Sequence, residues 1–188
     1  YSPAMCTGGK RPGSADEAAG GDAGAALLVG DDTHGAVVAE VLGTGSATDE
    51  FLDRGRTPGD TRSRQWEEKF GEGKYVALGQ AALRDALKDA GIEADRVDAL
   101  IVAGTHGRAN KAVAKKSGID GAKVVDDLSA TLGNPGAAQA GLVLAATLDQ
   151  ATPGQVIVVL SLADGADALV FKTTDAIEAF TPDSPIAE

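Results

Sequence analysis

Two side chains in this chain of 188 residues have the type and setting for carbonyl chemistry. His106 follows the apolar run VDALIVA at 97–103 after Gly104-Thr105, and Asn134 stands in Gly133-Asn134-Pro135-Gly136, at the head of a second apolar run. In open α/β sheets ligands gather beyond the carboxyl ends of strands. A histidine there could donate an imidazole N–H to a carbonyl oxygen that turns negative during reaction, or act as a general acid or base. The Asn134 amide could supply a second donor, and convergent donors are what an oxyanion site requires. Each residue also has a plainer reading. A histidine at a helix start can simply bond to backbone, and Asn before Pro is an ordinary helix N-cap followed by an N1 proline. Gly165, in Leu162-Ala163-Asp164-Gly165, could bring backbone close to a ligand, and a plain hairpin turn accounts for it equally well.

The elements that must position these residues can be read from periodicity. The stretch 136–148, GAAQAGLVLAATL, offers only Gln139 and Thr147 as polar side chains. A surface helix is polar on one face, so a helix over 135–150 is expected to be covered on both sides, with Asn134 at its positive N-terminal mouth. Over 75–90 the apolar residues Val76, Leu83, Leu87 and Ala90 recur at helical spacing and Gly91 closes the run, giving an outer, amphipathic helix. Strands are expected at 24–29 and 36–42, joined by a polar turn that holds a solvated His34. Others are expected at 97–103, near 123–126, at 155–161 and at 168–172, with a helix from His106 to Lys116. Such alternation implies a mainly parallel sheet, and the length fits one domain better than two. The tail after Phe180, with Pro182 and Pro185, reads as frayed.

A formal net charge of -11 argues against a nucleic-acid or anionic-membrane surface, because phosphate binding needs a dense basic field. Basic residues concentrate only in the turn-rich stretch 43–74, as Arg54, Arg56, Arg62, Arg64, Lys69 and Lys74. That stretch reads as a solvated loop or a phosphate-contacting one, with Trp66 and Tyr75 as clamps. Aromatics make up only 4% of the chain, so Ala, Val and Leu must fill the core. The single cysteine, Cys6, excludes an internal disulfide framework and a cysteine-rich zinc site and fits a reducing cytosol. Without an apolar spanning run or a leader pattern, a cytoplasmic location is expected. No phosphate-cradling glycine motif or metal cluster is present in the sequence, so neither metal nor resident cofactor is expected. The first residue is not Met, which leaves open a start inside a longer chain.

Taken in order, the pieces over most of 17–175 resemble the C-terminal half of a thiolase-superfamily condensing enzyme, of the type that includes hydroxymethylglutaryl-CoA synthases and ketoacyl-acyl carrier protein synthase III. Gly20-Gly21-Asp22-Ala23-Gly24-Ala25-Ala26 is similar to the family's Gly-Asp-Gly-Ala strand entry. Asp49-Glu50-Phe51-Leu52-Asp53-Arg54 with Arg56-Thr57-Pro58-Gly59-Asp60 resembles the synthase segment after the next strand. The resemblance implies an α/β, thiolase-like layered fold. Residues 1–45 would end the N-terminal half, 46–74 would connect, and 75–188 would form the C-terminal half. It implies that His106 and Asn134 share one oxyanion hole, that Lys111, five positions after the histidine, lies near the CoA substrate, and that Gly165 lines the reacting acyl group.

The family's nucleophile is a cysteine that opens a buried helix. Cys6, in Ala4-Met5-Cys6-Thr7-Gly8-Gly9, is locally similar to its Cys-x-Gly-Gly pattern, yet no apolar helical run follows, so it reads as a loop thiol. The expected function is therefore an acyltransferase forming carbon–carbon bonds between acyl thioesters, hydroxymethylglutaryl-CoA synthase-like, present as a fragment or split subunit. It would need a missing N-terminal half or a Cys-bearing subunit, assemble as an oligomer, take acyl-CoA or acyl carrier protein thioesters, and be inactive alone. The competing readings are a non-catalytic thiolase-like scaffold subunit that stabilises a catalytic partner, and a generic doubly wound ligand-binding domain.

Overall fold

A computed structural model describes residues 18–33, 35–55, 57–59, 64–180 and 186. Cys6 and His34 lie outside them, as do Arg56 and Arg62. The elements run β1 (Ala39–Ala47), β2 (Arg54–Gly55), β3 (Arg64–Gln65), α1 (Glu68–Ala90), β4 (Ala99–Gly104), α2 (Gly107–Lys116), α3 (Ser129–Leu132), α4 (Gln139–Leu148), β5 (Val156–Leu162) and β6 (Ala166–Thr173). The main sheet has four strands in the order β1-β6-β5-β4. Only β4 and β5 are parallel, whereas β5–β6 and β6–β1 are antiparallel. The sheet is therefore not mainly parallel, contrary to what the alternation of helices and strands implied. Only Ala163, Asp164 and Gly165 separate β5 from β6, and so short a link can join only antiparallel neighbours.

Strand β5, Val-Ile-Val-Val-Leu-Ser-Leu, is buried at every position except Ser161, as a strand covered on both faces should be. On one face Leu100, Val102, Val158, Leu160 and Val170 pack against α1 and α2. On the other, Ile101, Ile157 and Val159 lie under Val143 and Leu144 of α4. The sheet is thus the middle of three layers. Helix α4 buries Gln139, Leu142, Val143 and Leu144, and Ala25 lies close against Gly141 on another side.

Four elements differ from their sequence readings. Residues 24–29 form no strand. Leu27 is 53% exposed, Leu28 fully and Val29 87%, because among the described residues no strand edge lies beside them and apolar content alone does not make a strand. The first strand falls at Ala39–Ala47 rather than 36–42, shifted toward Gly43 and Gly45, where α1 comes so close that a Cβ would collide with its backbone. The strand expected near 123–126 is reduced to a single parallel bridge, Leu100 to Val124. Helix α1 also starts before position 75, since its opening turns, Glu68-Lys69-Phe70-Gly71-Glu72-Gly73, carry little apolar periodicity. It ends as expected on Gly91, at φ 66°, whose N–H bonds back to Leu87 and Lys88. Among the described residues no helix is long and apolar enough to cross a membrane.

Candidate active site at the carboxyl end of β4

Strand β4 ends at Gly104, whose backbone groups are held by three side-chain amides. Its N–H donates to Gln139 Oε1 (3.2 Å). Its carbonyl accepts from both Asn110 Nδ2 and Asn134 Nδ2, each at 3.0 Å. Gln139 also accepts the second Asn134 N–H (3.1 Å), so both protons of the Asn134 amide are committed. Asn134 Oδ1 accepts from Gly136 N–H at 2.8 Å, the capping geometry that Asn before Pro allows. Beside this knot lies a cavity of about 230 Å³ lined by Gly104, Thr105, Gly107, Asn110, Asp127, Ser129 and Asn134, with Ala19 at its rim. Asn110 Oδ1 is buried and has no hydrogen-bond partner, leaving an acceptor able to take an N–H or O–H.

His106 turns the other way. It is 3% exposed and caps α2, with Nδ1 accepting from Ala109 N–H (3.2 Å). An accepting Nδ1 carries no proton, so the neutral ring has its proton on Nε2, and Nε2 donates to the Glu68 carbonyl at 3.0 Å. The imidazole leans toward α1, near Gly71 and 5.9 Å from the Tyr75 ring, while Asn134 faces Gln139 and the cavity. The expected convergence of His106 and Asn134 on one point is therefore not present. Both side chains also fulfil backbone roles, and that satisfaction of orphan groups is the physical reason they stand apart.

The other candidates separate as well. Lys111 is exposed on α2 and does not line the cavity. Gly165 is buried with φ 154°, and a Cβ there would lie 3.0 Å from the Ala47 carbonyl, so it lets the hairpin turn meet the end of β1. In the basic stretch, Arg54 pairs with Asp53 and Lys74 with Asp49. Trp66 stacks near Phe70 at 4.5 Å and Tyr75 meets Phe51 edge-on at 5.2 Å. The Lys74 hydrogen bond and charge, with a bond from Glu50 N–H, hold the exposed Asp49 carboxyl below the usual range. Among the described residues no cluster could hold a metal ion.

Sequence reasoning missed Asn110 and the burial of Asp53, and it read Tyr75 only as a clamp. Gln139 gave a signal as a polar residue inside an apolar helix; it is 1% exposed. Gln139→Leu should cost roughly 2–3 kcal/mol in chemical denaturation, because it strands the Gly104 N–H and an Asn134 proton in a dry site. A denaturation midpoint equal to wild type would show that solvent reaches the knot. For Tyr75, burial first and then the Asp53 charge push the phenol above its ordinary value, opposed by a backbone hydrogen bond from Asp164. A raised acid keeps its proton longer when folded, so its stabilising contribution is complete below the ordinary tyrosine range near pH ~10 and is lost as pH rises through the folded value. Tyr75→Phe should flatten the alkaline fall of the melting temperature; an unchanged fall would remove Tyr75 as its source.

Residues 87–172 match the family model for the C-terminal domain of 3-oxoacyl-[acyl-carrier-protein] synthase III. Hydroxymethylglutaryl-CoA synthase of Methanothermobacter thermautotrophicus is 30% identical over 170 residues, covering 89% of this chain and 48% of that protein. The chain is thus similar to the C-terminal half of thiolase-superfamily condensing enzymes. Solved structures agree on the fold. The 3-oxoacyl-(acyl carrier protein) synthase III of Pseudomonas aeruginosa PAO1 superposes with TM-score 0.59 at 23% identity, over 71% of this chain and 44% of that one. A thiolase of Ascaris suum, solved with coenzyme A, does so with TM-score 0.54 at 14% identity, over 76% and 32%. The thiolase-like α/β fold is thus in place, and the chain spans about half the length of the curated relative it matches.

Proposed function

We propose that this chain is the C-terminal part of an acyl-thioester condensing enzyme, an acyltransferase that joins acyl groups through a carbon–carbon bond in the manner of a hydroxymethylglutaryl-CoA synthase. The observation that carries the reading is the 30% identity to such a synthase along 89% of the chain, with His106 at the carboxyl end of β4 where the sheet presents its ligand edge. His106 would donate a hydrogen bond from Nε2–H, keeping its proton, to the thioester oxygen as charge develops there, that oxygen replacing the Glu68 carbonyl as acceptor. Asn134 would act first as the brace that fixes the β4 end and the cavity wall. Acyl-CoA or an acyl carrier protein thioester would be the substrate, with no resident cofactor. The thiol nucleophile would come from an N-terminal half or a second, Cys-bearing subunit.

The test is complementation. The 188-residue chain should give no condensation product from acetyl- and acetoacetyl-CoA when incubated alone. Co-expressed with an N-terminal half from a related synthase or from the same gene region, it should yield one. Turnover by the isolated chain with an acyl group on Cys6 would overturn the division of labour.

A further inference from the structure

Among the described residues, two buried side-chain atoms have no hydrogen-bond partner, Asn110 Oδ1 and Asp53 Oδ1. The first belongs to the cavity already described, and the second lies on the α1 side of His106. Asp53 is 2% exposed. Its Oδ2 pairs with Arg54, and Arg54 Nη2 also donates to the Thr105 carbonyl at 3.3 Å, which ties Asp53 to the residue just before His106. Its backbone carbonyl is held by Trp66 N–H at 2.7 Å. The backbone is thus held by Trp66 and the carboxylate by Arg54 through Oδ2, while Oδ1 stays unpaired.

Gly71 shows what Oδ1 faces. A Cβ on Gly71 would lie 2.7 Å from Asp53 Oδ1 and 3.2 Å from His106 Cδ2. The carboxylate and the imidazole edge therefore flank the space that glycine leaves open. Cδ2 neighbours Nε2 in the ring, so an anion on this side favours the ring form whose N–H points the same way. With the proton on Nδ1 instead, a nitrogen lone pair would face the Glu68 carbonyl, and the new N–H would press against Ala109 N–H.

We propose that Asp53 is a positioning residue for His106, its buried carboxylate holding the imidazole in the form protonated at Nε2. The consequence for catalysis rests on the condensing-enzyme reading, since that reading needs the N–H on this nitrogen. The positioning itself does not. A carboxylate left half-paired in a buried site is costly.

Nitrogen-15 NMR of the imidazole tests this in the full 188-residue chain, without any activity assay. Changing His34→Gln leaves His106 as the only histidine. Its long-range spectrum should show protonated Nε2 and bare Nδ1. Asp53→Asn should lower the ratio of that form to the other by about threefold or more, as expected for removing a unit charge close to a ring dipole at the effective dielectric of a protein interior. Gly71→Ala, which keeps every charge but drives a methyl between the groups, should do the same. Val76→Ala, a destabilising change in the same helix, should leave the pattern alone. A wild-type spectrum with the proton on Nδ1 overturns the proposal with no variant needed, as does an unchanged pattern in folded Asp53→Asn and Gly71→Ala. Failure of complementation with the Nε2 pattern intact would sink the condensing reading and leave the Asp53 assignment standing.

Discussion

In the complemented enzyme, His106→Ala is expected to lower condensation turnover by about 100- to 1,000-fold, the usual cost of losing one donor to a developing oxyanion. The reason is electrostatic. The Nε2 proton, held by the Glu68 carbonyl at 3.0 Å, would have to exchange that acceptor for the negative oxygen, whose charge it would then stabilise in a site of low dielectric. Transfer of an acyl group to the partner thiol should survive better than the carbon–carbon step if the oxyanion of condensation is the one His106 meets. The melting temperature must be read beside the rate, because the change also removes the Ala109 cap. A loss of less than tenfold in a folded variant would reduce His106 to a capping residue. Asn134→Ala divides the readings further. As a brace it should cost stability more than rate, whereas a direct donor would cost rate with little change in melting.

The layers of this protein were largely legible in its sequence because their signals are local. The run VIVVLS is apolar on both sides, so β5 had to be central. The Val76–Leu87 spacing marked α1 as an outer helix, and Gly91 ended it where a positive φ was needed. What failed was partner choice. The run at 24–29 looks like a strand by composition, but a strand needs an edge to pair with, and none lies beside it among the described residues. The antiparallel β6 was disguised by the alternation of helices and strands, although the short turn after Leu162 already carried the contrary signal.

The candidate site was legible as a place rather than as an arrangement. Both His106 and Asn134 lie at the end of β4, yet their side chains bond different partners, His106 the Glu68 carbonyl and Asn134 the Gly104 carbonyl and Gln139. That choice of partners is invisible in a linear sequence. Nothing in the spacing announces that Gln139, five residues beyond Asn134, would return to bond both Asn134 and Gly104. Asp53 was hidden for a different reason: it lies in a charged stretch where a solvated face is the default reading, and only the folded chain shows it 2% exposed against Gly71.

Gly45→Val should be strongly destabilising, lowering stability by about 3 kcal/mol or more. A Cβ at Gly45 would stand 2.2 Å from the Ala82 carbonyl oxygen and 2.5 Å from Ala86 N, so the obstacle is helix backbone and no rotamer change relieves it. Helix α1 would have to lift from β1, and with it Ala82 and Ala86, both fully buried. A loss of that size is a large share of the total for a domain of this kind. Gly55→Val is the matched control, since nothing lies within 4 Å of a Cβ there and a surface change of that sort should stay within about 0.5 kcal/mol. Urea denaturation of both variants compares them directly. If Gly45→Val unfolds at the wild-type midpoint, α1 does not lie against β1 as described. The wall that carries Glu68, Gly71 and Tyr75 to His106 would then have to be redrawn.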